Sequence, residues 1–380
     1  MSAGFGIYVH WPYCESKCPY CDFNSHVAET VDHRRWRAAY LSELDRYAGE
    51  TGDQTVTSVF FGGGTPSLMK PDTVAAIIER IRANWPVADD VEITAEANPS
   101  SSEAALFAAF ADAGVNRLSI GVQSFDDEAL TFLGRRHRAD EARRAIEAAR
   151  EAVPRFSFDL IYALPGQTVD DWRRQLSEAV ELARGHLSVY QLAIEPGTEF
   201  HKRRVEGAGD ETAAELYEFT QGALAAAGLP AYEISNHAAP DNACRHNLTY
   251  WRGGAYAGIG PGAHGRLRTG GAWALTLEKR MPDDWLRAVE TEGAGLHKRT
   301  PIDPDERARE AVLLGMRLAD GLSAADFAET TGMSLEDWLD PGRLEVLAGE
   351  RMIEPFDGAR LRALPDGLMR LNAVLDYLLN

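Results

Sequence analysis

Cysteine is scarce in this chain: four residues in 380. Long apolar runs are missing too. No stretch approaches the ~18 apolar residues of a membrane span, so no transmembrane segment is expected, and peripheral membrane contact stays open. Positive charge is thin: 39 Lys and Arg face 58 Asp and Glu, a formal net charge of -19. A general nucleic-acid binder would carry a basic balance, so that class of partner is set aside. No short-period repeat or low-complexity tract is evident. No signal-peptide pattern opens the chain, which points to a reducing cytoplasm where disulfides are rare. What is present is apolar material for a large core, 45% of residues, in a length that suits one large domain plus a smaller one.

Three of the four cysteines, Cys14, Cys18 and Cys21, fall in one short segment, His10-Trp11-Pro12-Tyr13-Cys14-Glu15-Ser16-Lys17-Cys18-Pro19-Tyr20-Cys21. Thiolates are soft ligands suited to iron–sulfur clusters and zinc. Clusters usually take four cysteines, and closed zinc sites take four ligands. Here the local count is three. A cubane on three thiolates keeps one iron open to a small molecule. The competing reading is a structural zinc knuckle completed by His10, His26 or Cys244.

Apolar runs alternate with helical patterns from residue 5 to about 230. Strands are expected over 6–11, 57–61, 91–97, 116–121, 155–161 and 187–193. Helices are expected over 31–49, 71–84, 101–113, 126–133 with 138–152, and 168–183. Strand-then-helix repetition implies parallel strands with crossover helices, hence an α/β fold, a partial (β/α)6 barrel that binds ligands at the carboxyl ends of its strands. The chemistry-bearing residues obey that rule. The cysteine loop follows the first strand and Gly62-Gly63-Gly64-Thr65 the second; Glu96, Gln123 and Asp159 mark the third, fourth and fifth.

The expected domains are the barrel at 1–230, a Gly-rich connecting region at 231–300, and a C-terminal domain at 301–380. That last domain is mainly helical, with helices over 304–319, 323–331, 334–338, 341–349 and 366–379. A small hairpin around 352–355 and 359–363 makes it winged-helix-like. It has no obvious basic recognition helix, so protein contact or packing is its expected role.

The C-x3-C-x2-C spacing of Cys14, Cys18 and Cys21, with the aromatic Tyr20 before the third cysteine, resembles the radical S-adenosylmethionine (SAM) superfamily. That resemblance implies a [4Fe-4S] cluster on the three thiolates, with SAM on the open iron. Gly63, Gly64 and Thr65 offer close backbone approach to the methionine portion. Glu96 can accept from the amine or ribose hydroxyls. Gln123 and Asp159 add polar contacts, and Arg135 adds a cation for the carboxylate. One electron from a reduced cluster can cleave the sulfonium, given a low potential and a dry cavity.

The resemblance sharpens with Tyr8-Val9-His10, Gly62 to Pro66, Gly121-Val122-Gln123-Ser124-Phe125 and Asp159 to Thr168. These look like the oxygen-independent coproporphyrinogen III oxidase family, over nearly the whole chain. The oxidase branch carries a fourth cysteine two residues after the third, where this chain has Phe23, and a longer segment before the loop. Coproporphyrinogen oxidase activity is therefore the alternative, not the expectation. Cys21-Asp22-Phe23-Asn24-Ser25 and His246-Asn247-Leu248-Thr249-Tyr250-Trp251 resemble the other branch, the heme chaperones. That likeness implies heme as a further cofactor and an acceptor protein as partner, and leaves SAM cleavage open. His246 is the candidate heme ligand, with Tyr250 and Trp251 as rings for the porphyrin face. Cys244 and His264 are the alternatives.

Overall fold

The computed structural model describes residues 4–380. Eleven strands share one sheet: β1 Phe5–Trp11, β2 Val56–Gly63, β3 Val87–Ala97, β4 Arg117–Gln123, β5 Arg155–Tyr162, β6 His186–Gln191, β7 Asn236–Ala238, β8 Ala255–Ile259, β9 His264–Thr269, β10 Ala272–Glu278 and β11 Leu296–Pro301. Their spatial order is β11-β10-β9-β8-β1-β2-β3-β4-β5-β6-β7. β1 to β6 are parallel neighbours in sequence order, and β8 lies parallel on the free side of β1. The remaining pairings are antiparallel. The six expected strands all form, joined by crossover helices His33–Thr51, Pro71–Asn84, Ala139–Ala152 and Val169–Leu182, so the α/β partial barrel stands.

Period-two alternation explains how each strand serves both faces. In β1, Ile7, Val9 and Trp11 are buried with Trp36, Tyr40, Leu44 and Tyr47 of the first crossover helix. Each such side chain contributes about 1.5–3 kcal/mol by leaving water. Tyr8 and His10 occupy the opposite positions and face the inside of the barrel. The crossover helices begin on caps that the sequence carries: Asp32 accepts from the amides of Arg34 and Arg35, and Thr168 with Asp171 forms a reciprocal capping box.

Some elements depart from expectation. The span 101–113 holds two short helices, Ser101–Ala104 and Phe107–Asp112, and 366–379 holds Pro365–Met369 and Leu371–Leu379. The Gly-rich stretch 231–300 is not irregular. It supplies β7 to β11 and two helices, Arg245–Trp251 and Pro282–Glu292. The helix Arg245–Trp251 starts where Glu92 of β3 accepts from the amides of Arg245 and His246. A carboxylate brought from another strand thus caps the positive end of that helix.

The C-terminal helices pack around a second apolar core that includes Val312, Met316, Phe327, Ile353, Leu361 and Leu375. The small hairpin is present as an Ile353–Ala363 bridge, flanked by Glu354 N–H to Arg362 O and Leu364 N–H to Met352 O. Its neighbour is the strand pair Leu322–Ser323 with Arg360–Leu361. Arg307 joins this core to the sheet: it is buried, lies 4.0 Å over the Trp273 ring and donates to Gly253 O. Among the described residues no helix is long and apolar enough to cross a membrane.

Candidate functional site

The carboxyl ends of β1 to β5 converge on a cavity of about 440 Å³. Cys14, Cys18, Cys21, Tyr20, Gly63, Gly64, Thr65, Glu96, Gln123, Arg135 and Asp159 all line it. The three thiols stand around this space. Among the described residues no three His, Cys, Asp or Glu side chains close on a single point as a mononuclear ion requires. The donors nearby suit thiolates. Thr65 Oγ1 lies 3.4 Å from Cys14 Sγ, Arg135 Nη1 3.5 Å from Cys18 Sγ, and Ser25 Oγ 3.9 Å from Cys21 Sγ. Burial pushes the Cys14 and Cys21 thiols up; a metal would have to offset that cost to hold them ionised.

The glycines are needed where they stand. Gly64 donates to Trp11 O at 2.6 Å, and a Cβ on it would come within 2.6 Å of Tyr13 O. Gly63 has φ +115°, a region closed to most side chains, and its amide donates to Glu96 Oε2 at 3.1 Å. Gln123 also sits at positive φ, 69°, which turns the chain at the exit of β4.

Two carboxylates face each other across the floor. Glu96 is pushed up to about 8 by burial and by the neighbouring Asp159 charge. Asp159 is pushed up to about 6 by burial, opposed by Ser188, Arg117 and Arg135. Its Oδ1 has no hydrogen-bond partner. An orphaned buried acceptor at a cavity wall suits a hydroxyl or ammonium donor from a ligand. Both groups fit the cluster-plus-SAM expectation.

Arg135 lines the cavity, its Nε buried without a partner, while its other nitrogens are engaged. Its Nη2 donates to Asn98 Oδ1 and Gly121 O at 2.8 and 2.7 Å, and its Nη1 reaches the Cys18 sulfur. It therefore steadies a thiol and two strand exits. Asn98, which also reaches Thr65 Oγ1 at 3.2 Å, escaped sequence reasoning, although it follows a strand end as the other site residues do.

A second, larger cavity of about 1150 Å³ adjoins the first and shares Asp22, Phe23, Gly63 and Glu96 with it. Tyr8, Phe60, Tyr250 and Tyr256 form an aromatic wall, and His246 and His264 also line it. Tyr8 thus belongs to this second space, its hydroxyl 3.0 Å from His10 Nδ1. His246 is 1% exposed, stacks on Phe60 at 5.1 Å, and has both ring nitrogens engaged. Nδ1 lies 2.9 Å from Ser58 Oγ and Nε2 2.7 Å from Tyr250 OH. Burial lowers it to about 3. Ligation of iron by His246 requires one of these bonds to open. His264 is exposed to the cavity.

Cys244 lines neither cavity. Its thiol lies 3.3 Å from Glu92 Oε1, beneath the barrel with Arg117, and is pushed up to about 12 by burial. A thiol so enclosed is a poor ligand for an entering cofactor. Trp251 likewise turns away, under Arg317 at 5.0 Å.

Comparison with known proteins identifies the family. The radical SAM superfamily description matches residues 8–179, and the HemN C-terminal domain matches 302–370. The heme chaperone HemW of Escherichia coli is 37% identical, over 98% of this chain and 97% of its own length. The mitochondrial radical S-adenosyl methionine domain-containing protein 1 of Bos taurus is 39% identical, over 98% of this chain and 87% of its own. The structure of coproporphyrinogen III oxidase (HemN) from Escherichia coli covers 99% of this chain, and this chain 90% of it, with a TM-score of 0.83 at 21% identity, a likeness of fold. The chain belongs to the HemW family of the radical SAM superfamily.

Proposed function

We propose that this protein is a heme chaperone: it binds a [4Fe-4S] cluster, SAM and heme, and passes heme to an acceptor protein in the cytoplasm. The observation that carries the proposal is the pair of cavities with a common wall. One is ringed by Cys14, Cys18 and Cys21 and is small enough for a nucleotide; the other is wide and aromatic. When bound, the cluster supplies an iron corner that can hold the amine and carboxylate of SAM. Gly63 and Gly64 admit the ligand's backbone-like end, and Asp159 and Glu96 accept from its hydroxyls or ammonium. Tyr8, Phe60, Tyr250 and Tyr256 offer ring faces and edges to a porphyrin. His246 braces that wall, and breaking its bond to Tyr250 would free Nε2 for iron.

Phe23 supports the chaperone over the oxidase. It occupies the place of the oxidase branch's extra cysteine, and its ring lines both cavities. The test is anaerobic reconstitution followed by parallel titrations with hemin and SAM. A stoichiometric hemin complex and a cluster spectrum that responds to SAM are expected. Absence of any hemin complex, with and without the cluster, would defeat the heme assignment. Protoporphyrinogen formed from coproporphyrinogen III with SAM and reductant would favour the oxidase.

A further inference from the structure

The larger cavity is lined by three cations from one stretch of an otherwise acidic chain, set among carboxylates. Lys279 and Arg280 follow β10, and Arg287 stands on the helix Pro282–Glu292; all three line the cavity, Arg280 and Arg287 exposed and Lys279 half-buried. Neither Lys279 nor Arg280 has a carboxylate partner within ion-pair distance among the described residues. Arg280 reaches only Asn24 Oδ1, at 3.5 Å. Arg287 has one loose partner, Asp284, at 3.6 Å and well exposed, an interaction of little worth. The chain's formal charge is -19, so three weakly partnered cations in one stretch run against its overall field. That stretch is also built to hold its place. Asn24 of the cysteine loop donates to Arg280 O and Pro261 O, both at 2.9 Å.

Other charges face the same space. Glu278 is already bonded to Tyr47 and Trp285 and is pushed up to about 7. Asp22, Glu96, Asp284 and Glu292 also line the cavity, with Asp22, Asp284 and Glu292 as exposed as Arg280 and Arg287. Exposed Arg280 and Arg287 and the half-buried rings of Tyr8, Phe60, Tyr250 and Tyr256 line one space, a bipartite arrangement suited to a flat apolar ligand with carboxylates on one edge. Resting on the heme assignment above, we infer that Arg280 and Arg287, with Lys279, grip the two propionates of heme and set its orientation, ring toward the aromatic wall and carboxylates toward the cations. Guanidinium pairs carboxylate in two parallel hydrogen bonds, which an ester cannot reproduce with equal strength.

The test compares hemin with hemin dimethyl ester on the full-length protein and on an R280A/R287A double variant, whose fold is checked by circular dichroism and cluster content. The wild type should bind hemin at least about tenfold tighter than the ester, the factor expected of one charge-assisted pair. The double variant should lose that preference while its affinity for the ester stays unchanged. R280K/R287K, which keeps the charge without the fork, should recover part of it. Equal affinity of the wild type for hemin and ester, or a preference that survives in the double variant, would overturn the inference and leave the heme assignment standing. Failure of both porphyrins to bind the wild type would overturn the two together.

Discussion

Glu96 offers a sharp measurement, because it stands on the wall that the two cavities share. Its carboxyl ionises near ~4.3 in an unfolded chain and only at about 8 in the folded protein. The folded state therefore holds its proton more tightly. The stability this confers is fully present below the unfolded value and is lost as pH rises through the folded one. Asp159, at about 6, has completed the same loss by pH 7. Between pH 7 and pH 8 the remaining loss from Glu96 is about 1 kcal/mol. That figure is a ceiling: Glu96 is half-buried and both cavities give water access to it, which softens the penalty. Glu96→Gln keeps an acceptor for the Gly63 amide and cannot ionise. Urea unfolding of the cluster-free protein at pH 7 and 8, with m held constant, isolates the effect as the difference between wild type and variant. The wild type should lose up to about 1 kcal/mol more than the variant over that interval. Parallel behaviour of the two would refute the raised ionisation and the burial argument behind it.

Three further outcomes are expected. Cys18→Ala should abolish the brown chromophore of the anaerobically reconstituted protein; survival at full intensity would remove Cys18 from the ligand set. His246→Ala leaves Ser58 and Tyr250 without a partner and should destabilise the fold by about 2 kcal/mol in urea. It should weaken hemin binding in a titration and leave iron and sulfide content unchanged, since no cysteine of the loop touches it. Arg307→Ala removes the buried guanidinium between Trp273, Gly253 O and Glu310, and should cost about 3 kcal/mol by chemical denaturation.

The same contrast between local and distant causes governs what could be read from the chain. Strands β1 to β6 and their crossover helices are visible because each carries its own period and its own punctuation. Asp32 and Thr168 cap helices within four residues of themselves. Cys14, Cys18 and Cys21 share a loop, so their spacing is a local signal, and Glu96, Gln123 and Asp159 follow from the rule of strand exits. The span 231–300 was opaque for the opposite reason. The helix Arg245–Trp251 is capped by Glu92, about 150 residues earlier in sequence, and β8 forms beside β1 at a separation of about 250 residues. Their ends carry no matching local residues.

The amino-acid sequence by itself determined the parallel α/β scaffold, the cysteine loop and the family, because periodicity, capping and ligand spacing are written in neighbouring residues. The tertiary structure alone decided that Glu96 would serve two cavities, that Cys244 would be shut beneath the barrel, and that Lys279, Arg280 and Arg287 would line one cavity. Those outcomes depend on which distant strands pair and on how much water each group loses when they do, and neither quantity has a local signature.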